Sequence, residues 1–208
     1  AKGATIYQVF PDRFYASGRA DVTGKLKPYT IHKNWYDEVD WKPTPDGQVL
    51  NNDFFGGNFR GITEKMDYIA GLGVTILYLN PISKSFSSHR YDTGDYKTPD
   101  PLLGTEADFA ALCDAAHARG IRVILDGVFN HISSSHFLFQ DVLRNGMASK
   151  YYSCFYQLPA KPKLPAPGEL PEYTCFSYVA SMPKTNTADP YLRQYFCDVG
   201  VYWIREFD

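Results

Sequence analysis

Residues 74–79 read VTILYL, an almost wholly apolar run closed by Asn80 and Pro81. It is short for a helix, and its composition suits a strand covered on both faces, as in a parallel sheet. Two similar runs flank it: 5–10 (TIYQVF), stopped by Pro11, and 121–125 (IRVIL), ending at Asp126. Helical spacing fills the intervals. Phe59, Ile62, Met66, Ile69 and Leu72 recur every three or four residues, and Gly73 is placed to end that helix. Thr105 and Asp108 form a T-x-x-D capping pattern ahead of Phe109, Leu112, Cys113 and Ala116, with a stop at Gly120. The order strand, helix, strand, helix, strand predicts an α/β fold with right-handed crossovers and a parallel sheet.

Two segments, 11–57 and 131–188, are far longer than the usual ~2 to 6 residues of an α/β connection. They follow the first and third strands, on the side where strands end, which is where α/β proteins place their ligands. The second segment holds five prolines between Pro159 and Pro171, which favours extended backbone. After it, Asp189 and Pro190 make a cap and first-turn pair, with Leu192, Phe196, Val199 and Trp203 at helical spacing behind them.

Composition narrows the function. The 208 residues, at 23.6 kDa, suffice for one domain with a subdomain but hardly for two large ones. No apolar stretch approaches the ~18 residues of a membrane span, so a soluble globular protein is expected. With 21 Lys and Arg against 23 Asp and Glu, nothing in the charge attracts nucleic acid or an anionic bilayer. Aromatic residues make up 16% of the chain, led by 16 tyrosines, and a tyrosine offers a sugar a flat apolar face and a polar edge. Most such rings are expected to serve packing. Cys113, Cys154, Cys175 and Cys197 lie far apart without a CxxC pair, so free thiols are expected, although a Cys154 to Cys175 bridge is conceivable. Neither G-x-G-x-x-G nor the Walker pattern is present, and no H-E-x-x-H or Cys/His cluster suggests zinc. The chain opens with Ala1, Lys2 and Gly3, shows no secretory leader and has no N-x-S/T sequon. That start reads as a cut or processed end; the compartment stays open, with the cytoplasm favoured.

Two polar constellations sit at the strand ends. The first is Asp126, Asn130 and His131 in DGVFNH, directly after the third strand. The second is HRYDTGDY at 89–96, after the second strand. Rings that stack on a sugar face, beside carboxylates that accept from hydroxyls, would make a carbohydrate subsite. An ordinary loop histidine and an ordinary polar loop could carry the same residues, but their common edge of the sheet favours function for both.

Together these segments resemble the α-amylase superfamily of glycoside hydrolases, especially its neopullulanase, cyclomaltodextrinase and maltogenic amylase group. The likeness runs in order through IYQVFPDRF (6–14), NDFFGGNFRGI (52–62), HRYDTGDY (89–96), DGVFNH (126–131), MPKTNT (182–187) and VYWIREFD (201–208). It implies the N-terminal part of a (β/α)8 TIM barrel, about three βα units, with a B subdomain inserted after the third strand. The implied division is 1–131 for the first part of the barrel, 132–188 for the inserted subdomain and 189–208 for the third barrel helix. The implied chemistry is retaining hydrolysis of α-1,4-glucosidic bonds in starch, maltooligosaccharides, pullulan or cyclodextrins. No catalytic carboxylate is expected in the chain: the nucleophile Asp and the acid/base Glu belong to the fourth and fifth strands, beyond Asp208, which is itself not the nucleophile. A G-x-R-x-D pattern is expected soon after it.

By resemblance, Tyr91 is the ring that stacks under the sugar whose bond is broken, and His131 hydrogen-bonds that sugar's hydroxyls. Asp126 orients groups around the nucleophile, and Asn130 supports the site. Asn130 matches a calcium ligand of many α-amylases, and the group often has another calcium site in the loop after FPDRF and at the FFGG turn. There, Ser17 and Arg19 stand where oxygen-rich ligands would be expected and Asn58 replaces the usual Asp, which argues against a hard cation. No cofactor is required by this reading and calcium is doubtful. The expected partners are an α-glucan and the remainder of the barrel, with a homodimer left open, and neither nucleic acid nor a membrane. Two competing readings are a non-catalytic α-glucan-binding module and a transglycosylase of the same superfamily.

Overall fold

The computed structural model describes residues 3–18, 22–45 and 47–207. Ala1, Lys2, Arg19 and Asp208, all invoked above, lie outside the described residues. In chain order the elements are β1 (Ile6–Val9), a 3-10 turn at Pro11–Arg13, β2 (Thr30–Ile31), β3 (Asp53–Phe54), α1 (Phe59–Glu64), α2 (Met66–Gly71), β4 (Ile76–Leu79), β5 (Ser83–Ser85) and β6 (Thr93–Pro99). There follow α3 (Glu106–His117), β7 (Arg122–Leu125), α4 (Phe137–Asn145), three further 3-10 turns and α5 (Pro190–Phe207).

The three apolar runs become β1, β4 and β7, all parallel, with β4 in the middle. Ile6, Ile76 and Arg122 share one row of the register, and Val9, Leu79 and Leu125 another. Among the described residues this sheet has three strands and does not close into a barrel. One face, with Val9, Leu77 and Leu79 fully or almost fully buried, packs on Phe59, Ile62, Met66 and Ile69 of the first helical pair and on Phe109 and Leu112 of α3. The other face is covered only in the centre. Ile76 is buried, but Ile6 is 54% exposed and Ile124 39%. The sequence reading of all three strands as covered on both faces therefore holds for β4 alone, because Ile6 of β1 and Ile124 of β7 lie exposed on that second face.

The stripe from Phe59 to Leu72 predicts one helix, whereas the chain makes two, broken at Lys65 (φ −95°, ψ 9°). The apolar stripe runs on through the break, since Ile62, Met66 and Ile69 are all fully buried. The capping pattern of α3 forms as read: the Thr105 hydroxyl accepts from the Asp108 amide, and the Asp108 carboxylate accepts from the Thr105 amide. At α5, Asp189 Oδ1 accepts from the Leu192 amide at 3.0 Å. A second apolar cluster joins Ile132, Leu138, Phe139, Val142, Cys154, Phe155 and Tyr173 to Tyr96 of β6 and to Leu192, Phe196 and Val199 of α5. The proline-rich stretch between Pro159 and Pro171 forms neither helix nor strand, and no bridge joins Cys154 to Cys175, which with Cys197 are free thiols.

Candidate active site

Parallel pairing brings the C-terminal ends of β1, β4 and β7 to one edge, and the polar constellations meet there. The Asp126 carboxylate, one residue past β7, accepts two phenolic hydrogens on the same oxygen, Oδ2: from Tyr78 of β4 at 2.6 Å and from Tyr91 at 2.8 Å. Burial, reinforced by the hydrogen bond to Asp126, pushes the Tyr78 phenol up to about 12. The same causes push Tyr91 up as well. Both phenols therefore stay protonated as donors at neutral pH, and Asp126 is held as their acceptor.

Tyr91 is aimed by the loop that carries it. Asp92 accepts from the Phe86 amide at 3.0 Å, from the Ser87 amide at 3.2 Å and from the Ser87 hydroxyl. Arg90 adopts a left-handed backbone (φ 62°), at a cost of about 1 kcal/mol for a side chain of this kind. Its guanidinium, 1% exposed, meets Asp100 at 3.2 Å and the Ser88 carbonyl at 2.9 Å. Lys25 binds the other Asp100 oxygen at 2.7 Å. Burial opposes the charge on Asp100, but Arg90 and Lys25 outweigh it and hold the carboxyl below its ordinary range. The buried trio thus anchors the residue immediately before Tyr91.

His131 closes the arrangement. Its Nε2 lies 3.1 Å from the Tyr91 carbonyl and its Nδ1 3.2 Å from the Asn130 amide nitrogen. A carbonyl can only accept and an amide nitrogen can only donate, so Nε2 carries the hydrogen and Nδ1 accepts. Burial pushes the imidazole down from its usual value, which keeps it neutral. One face of the ring stacks on Phe176 at 4.7 Å. The structure thus brings Tyr91, Asp126 and His131 together, and sets Asn130 behind His131 with its Oδ1 accepting from Lys184 Nζ at 2.6 Å.

Sequence reasoning missed Tyr78, Phe176 and Lys184. Tyr78 was readable as a phenol next to the C-terminal end of its apolar run; Lys184 lay inside MPKTNT without a role; Phe176 gave no signal.

Among the described residues, the oxygens at the places where calcium was weighed are already engaged by the chain itself. An ammonium group already occupies the Asn130 oxygen. At the first loop, Asn58 Oδ1 caps α1 by accepting from the Gly61 amide at 2.8 Å, while its amide nitrogen donates to the Ser17 carbonyl at 2.7 Å. That nitrogen thus takes up the Ser17 carbonyl oxygen beside it. Among the described residues no group of three or more His, Cys, Asp or Glu could hold a metal ion. Nor is any helix among them long and apolar enough to cross a membrane.

The family described as "Alpha amylase, catalytic domain" matches residues 8–208. A cyclomaltodextrinase from Geobacillus thermopakistaniensis (strain MAS1) is 42% identical over 212 residues, covering 100% of this chain and 32% of that protein. An intracellular maltogenic amylase from Bacillus subtilis is 41% identical over 207 residues, with the same coverage of 100% and 32%. The chain thus spans about a third of the length of these relatives. Among solved structures, the type III pullulan hydrolase from Thermococcus kodakarensis superposes with a TM-score of 0.82 at 36% identity, over 98% of this chain and 36% of that one.

Proposed function

The chain belongs to the alpha-amylase catalytic-domain family, and from that premise we propose that it serves a retaining α-glucan hydrolase. The reaction is cleavage of α-1,4-glucosidic bonds in starch, maltooligosaccharides, pullulan or cyclodextrins. Residues 1–131 supply the first part of the catalytic barrel, 132–188 the inserted subdomain, whose apolar residues share a cluster with Tyr96 and with α5, and 189–208 the third barrel helix. One observation carries the reading: Tyr91, remote in sequence from the DGVFNH motif, hydrogen-bonds at the strand ends to both Asp126 and His131 of that motif.

In this reading the Tyr91 ring lies under the sugar whose bond breaks. Its hydroxyl is tied to Asp126 and its carbonyl to His131, so the ring is set before substrate arrives. His131 shares its Nε2 hydrogen between the Tyr91 carbonyl and a sugar hydroxyl. Because it is neutral, it contributes a donor and no added charge. Asp126, satisfied by two phenols, orients the groups around the nucleophile, and Asn130 with Lys184 steadies His131. The nucleophile and the acid/base, about 5 to 5.5 Å apart in a retaining enzyme, come from strands other than β1, β4 and β7. No step uses a metal ion.

The test is kinetic. In the complete barrel, Tyr91→Ala and His131→Ala each lower kcat/KM on maltotriose by about ten- to a hundredfold, the range expected for a hydrogen bond to a polar, charge-developing centre. Unchanged kinetics in both variants would overturn the assignment. Binding without any turnover would identify a non-catalytic module, and sugar-to-sugar transfer products in place of hydrolysis products a transglycosylase. The 208-residue polypeptide alone is expected to release no sugar from maltotriose.

A further inference from the structure

The loop between β1 and α1 displays aromatic rings that neither the core nor the Tyr91 site uses. Trp35 is 39% exposed, Tyr36 91% and Trp41 59%. Two of the chain's three tryptophans therefore stand at the surface on one loop, although tryptophan is on average a highly buried residue.

The backbone beneath these rings is firmly held. Asp53 of β3, itself buried, accepts from His32 Nε2 at 3.0 Å and from the Asp40 amide at 3.1 Å, and faces the Arg13 guanidinium at 3.6 Å. Burial opposes its charge, yet these partners hold the carboxyl below its ordinary range. Phe55 is stacked by His32 at 4.2 Å, met edge-on by Trp35 at 6.0 Å and covered by Arg13 at 4.3 Å. Tyr36 rides on a turn in which its amide donates to Asn34 Oδ1 at 3.0 Å. Trp41 is fixed at its edge by Glu38, which accepts from Nε1 at 3.3 Å.

This loop also adjoins the site. The Asn51 carbonyl accepts from the Ser88 amide at 2.6 Å, and Arg90, the residue before Tyr91, lies over Phe54 at 5.4 Å. Because the loop leaves the C-terminal end of β1, it belongs to the same rim as Tyr91.

We propose that Trp35, Tyr36 and Trp41 form a second α-glucan contact, a platform that holds a stretch of chain away from the bond at Tyr91. The proposal rests on the α-glucan reading above. Pyranose rings present apolar C–H faces that pack on aromatic rings, and their hydroxyls can donate to Asp37 and Glu38 beside them. An uncharged ligand suits the patch, whose carboxylates Asp37, Glu38 and Asp40 lie between Lys33 and Lys42 and are largely offset by them.

Titration of the whole protein with maltoheptaose, followed by tryptophan fluorescence, tests this. Trp203 is packed edge-on against Phe109 at 5.5 Å and beside Phe207 at 5.1 Å, and the variant with Trp35→Phe and Trp41→Phe reads its background separately. The expected result is a change in emission that Trp35→Phe with Trp41→Phe removes. Tyr36→Ala with Trp41→Ala should weaken maltoheptaose binding about three- to tenfold, with a matching loss of retardation in amylopectin gels. Emission that ignores maltoheptaose overturns the platform, as does a Tyr36→Ala, Trp41→Ala variant retarded like the unaltered protein. A change of oligomeric state with unchanged glucan affinity in that variant also overturns it and makes the rings a self-association face. Tyr91→Ala separates this proposal from the one it rests on. Turnover lost with the emission change retained supports both, whereas turnover and emission change both retained support the platform and overturn the Tyr91 site.

Discussion

Asp126 Oδ2 takes hydrogens from two tyrosines of different provenance, one from a strand and one from a loop, and so the carboxylate fixes the loop to the sheet. Tyr78→Phe removes one of these bonds without touching the sugar-facing ring. A loss of about 1 kcal/mol, roughly fivefold in kcat/KM, is expected. Because both phenols share one oxygen, a double-mutant cycle with Tyr91→Phe should return a coupling of about 0.5 kcal/mol or more. His136 gives a second prediction. It is fully buried, caps α4 by accepting from the Leu138 amide at 3.3 Å, and its other nitrogen is 3.1 Å from the Tyr195 hydroxyl. Burial pushes it down to about 4, with Asp95 only partly opposing. An unfolded histidine titrates near 6.5. Between those values the unfolded chain binds the extra proton, so this contribution is complete above about pH 6.5 and is lost as the pH falls toward 4. It amounts to ~3 kcal/mol. Urea melts at pH 7, 5.5 and 4 should show the decline, and His136→Asn should flatten it.

At the scale of elements, apolar runs translated into strands because β1, β4 and β7 pair side by side, and the parallel ladder takes hold where both neighbours are present. The cap of α3 was legible for a local reason, a hydroxyl and a carboxylate three residues apart. Thr105→Ala should cost about 1 kcal/mol and lower the melting midpoint by roughly 2 to 4 °C, measured by calorimetry. The break at Lys65 was not legible. A spacing of three and four residues is the same on either side of it, and its surroundings are tertiary: a Cβ on Gly61 would fall 1.9 Å from the Tyr15 carbonyl, and Lys65 lies over the Tyr15 ring at 4.2 Å. The antiparallel pair β5 and β6 was equally hidden, since its serine-rich polar sequence looks like a loop and its register shifts twice. The candidate site was read in part for the same reasons. Tyr91, Asp126 and His131 showed as polar residues at strand ends, whereas Tyr78 was masked by the apolar run around it, and Phe176 comes to His131 only through the folding of the 132–188 segment.

The whole molecule is lopsided: helices cover one face of the parallel sheet, and only its centre is covered on the other. Ile6 and Ile124 are left to solvent, and β1 and β7 each have one sheet neighbour among the described residues. Such edges and apolar surface promote association. The 208-residue polypeptide on its own should therefore elute from a sizing column as oligomers whose size grows with concentration; a monomer that melts cooperatively would contradict this. The uncovered face also selects what can complete it. Arg122 shares a row with Ile6 and Ile76, so any wall laid over that row must bring a carboxylate to meet the guanidinium, or leave a buried charge unmatched at a cost of several kcal/mol. A single arginine at the foot of β7 would thus favour an acidic surface over a purely apolar one in whatever covers that row.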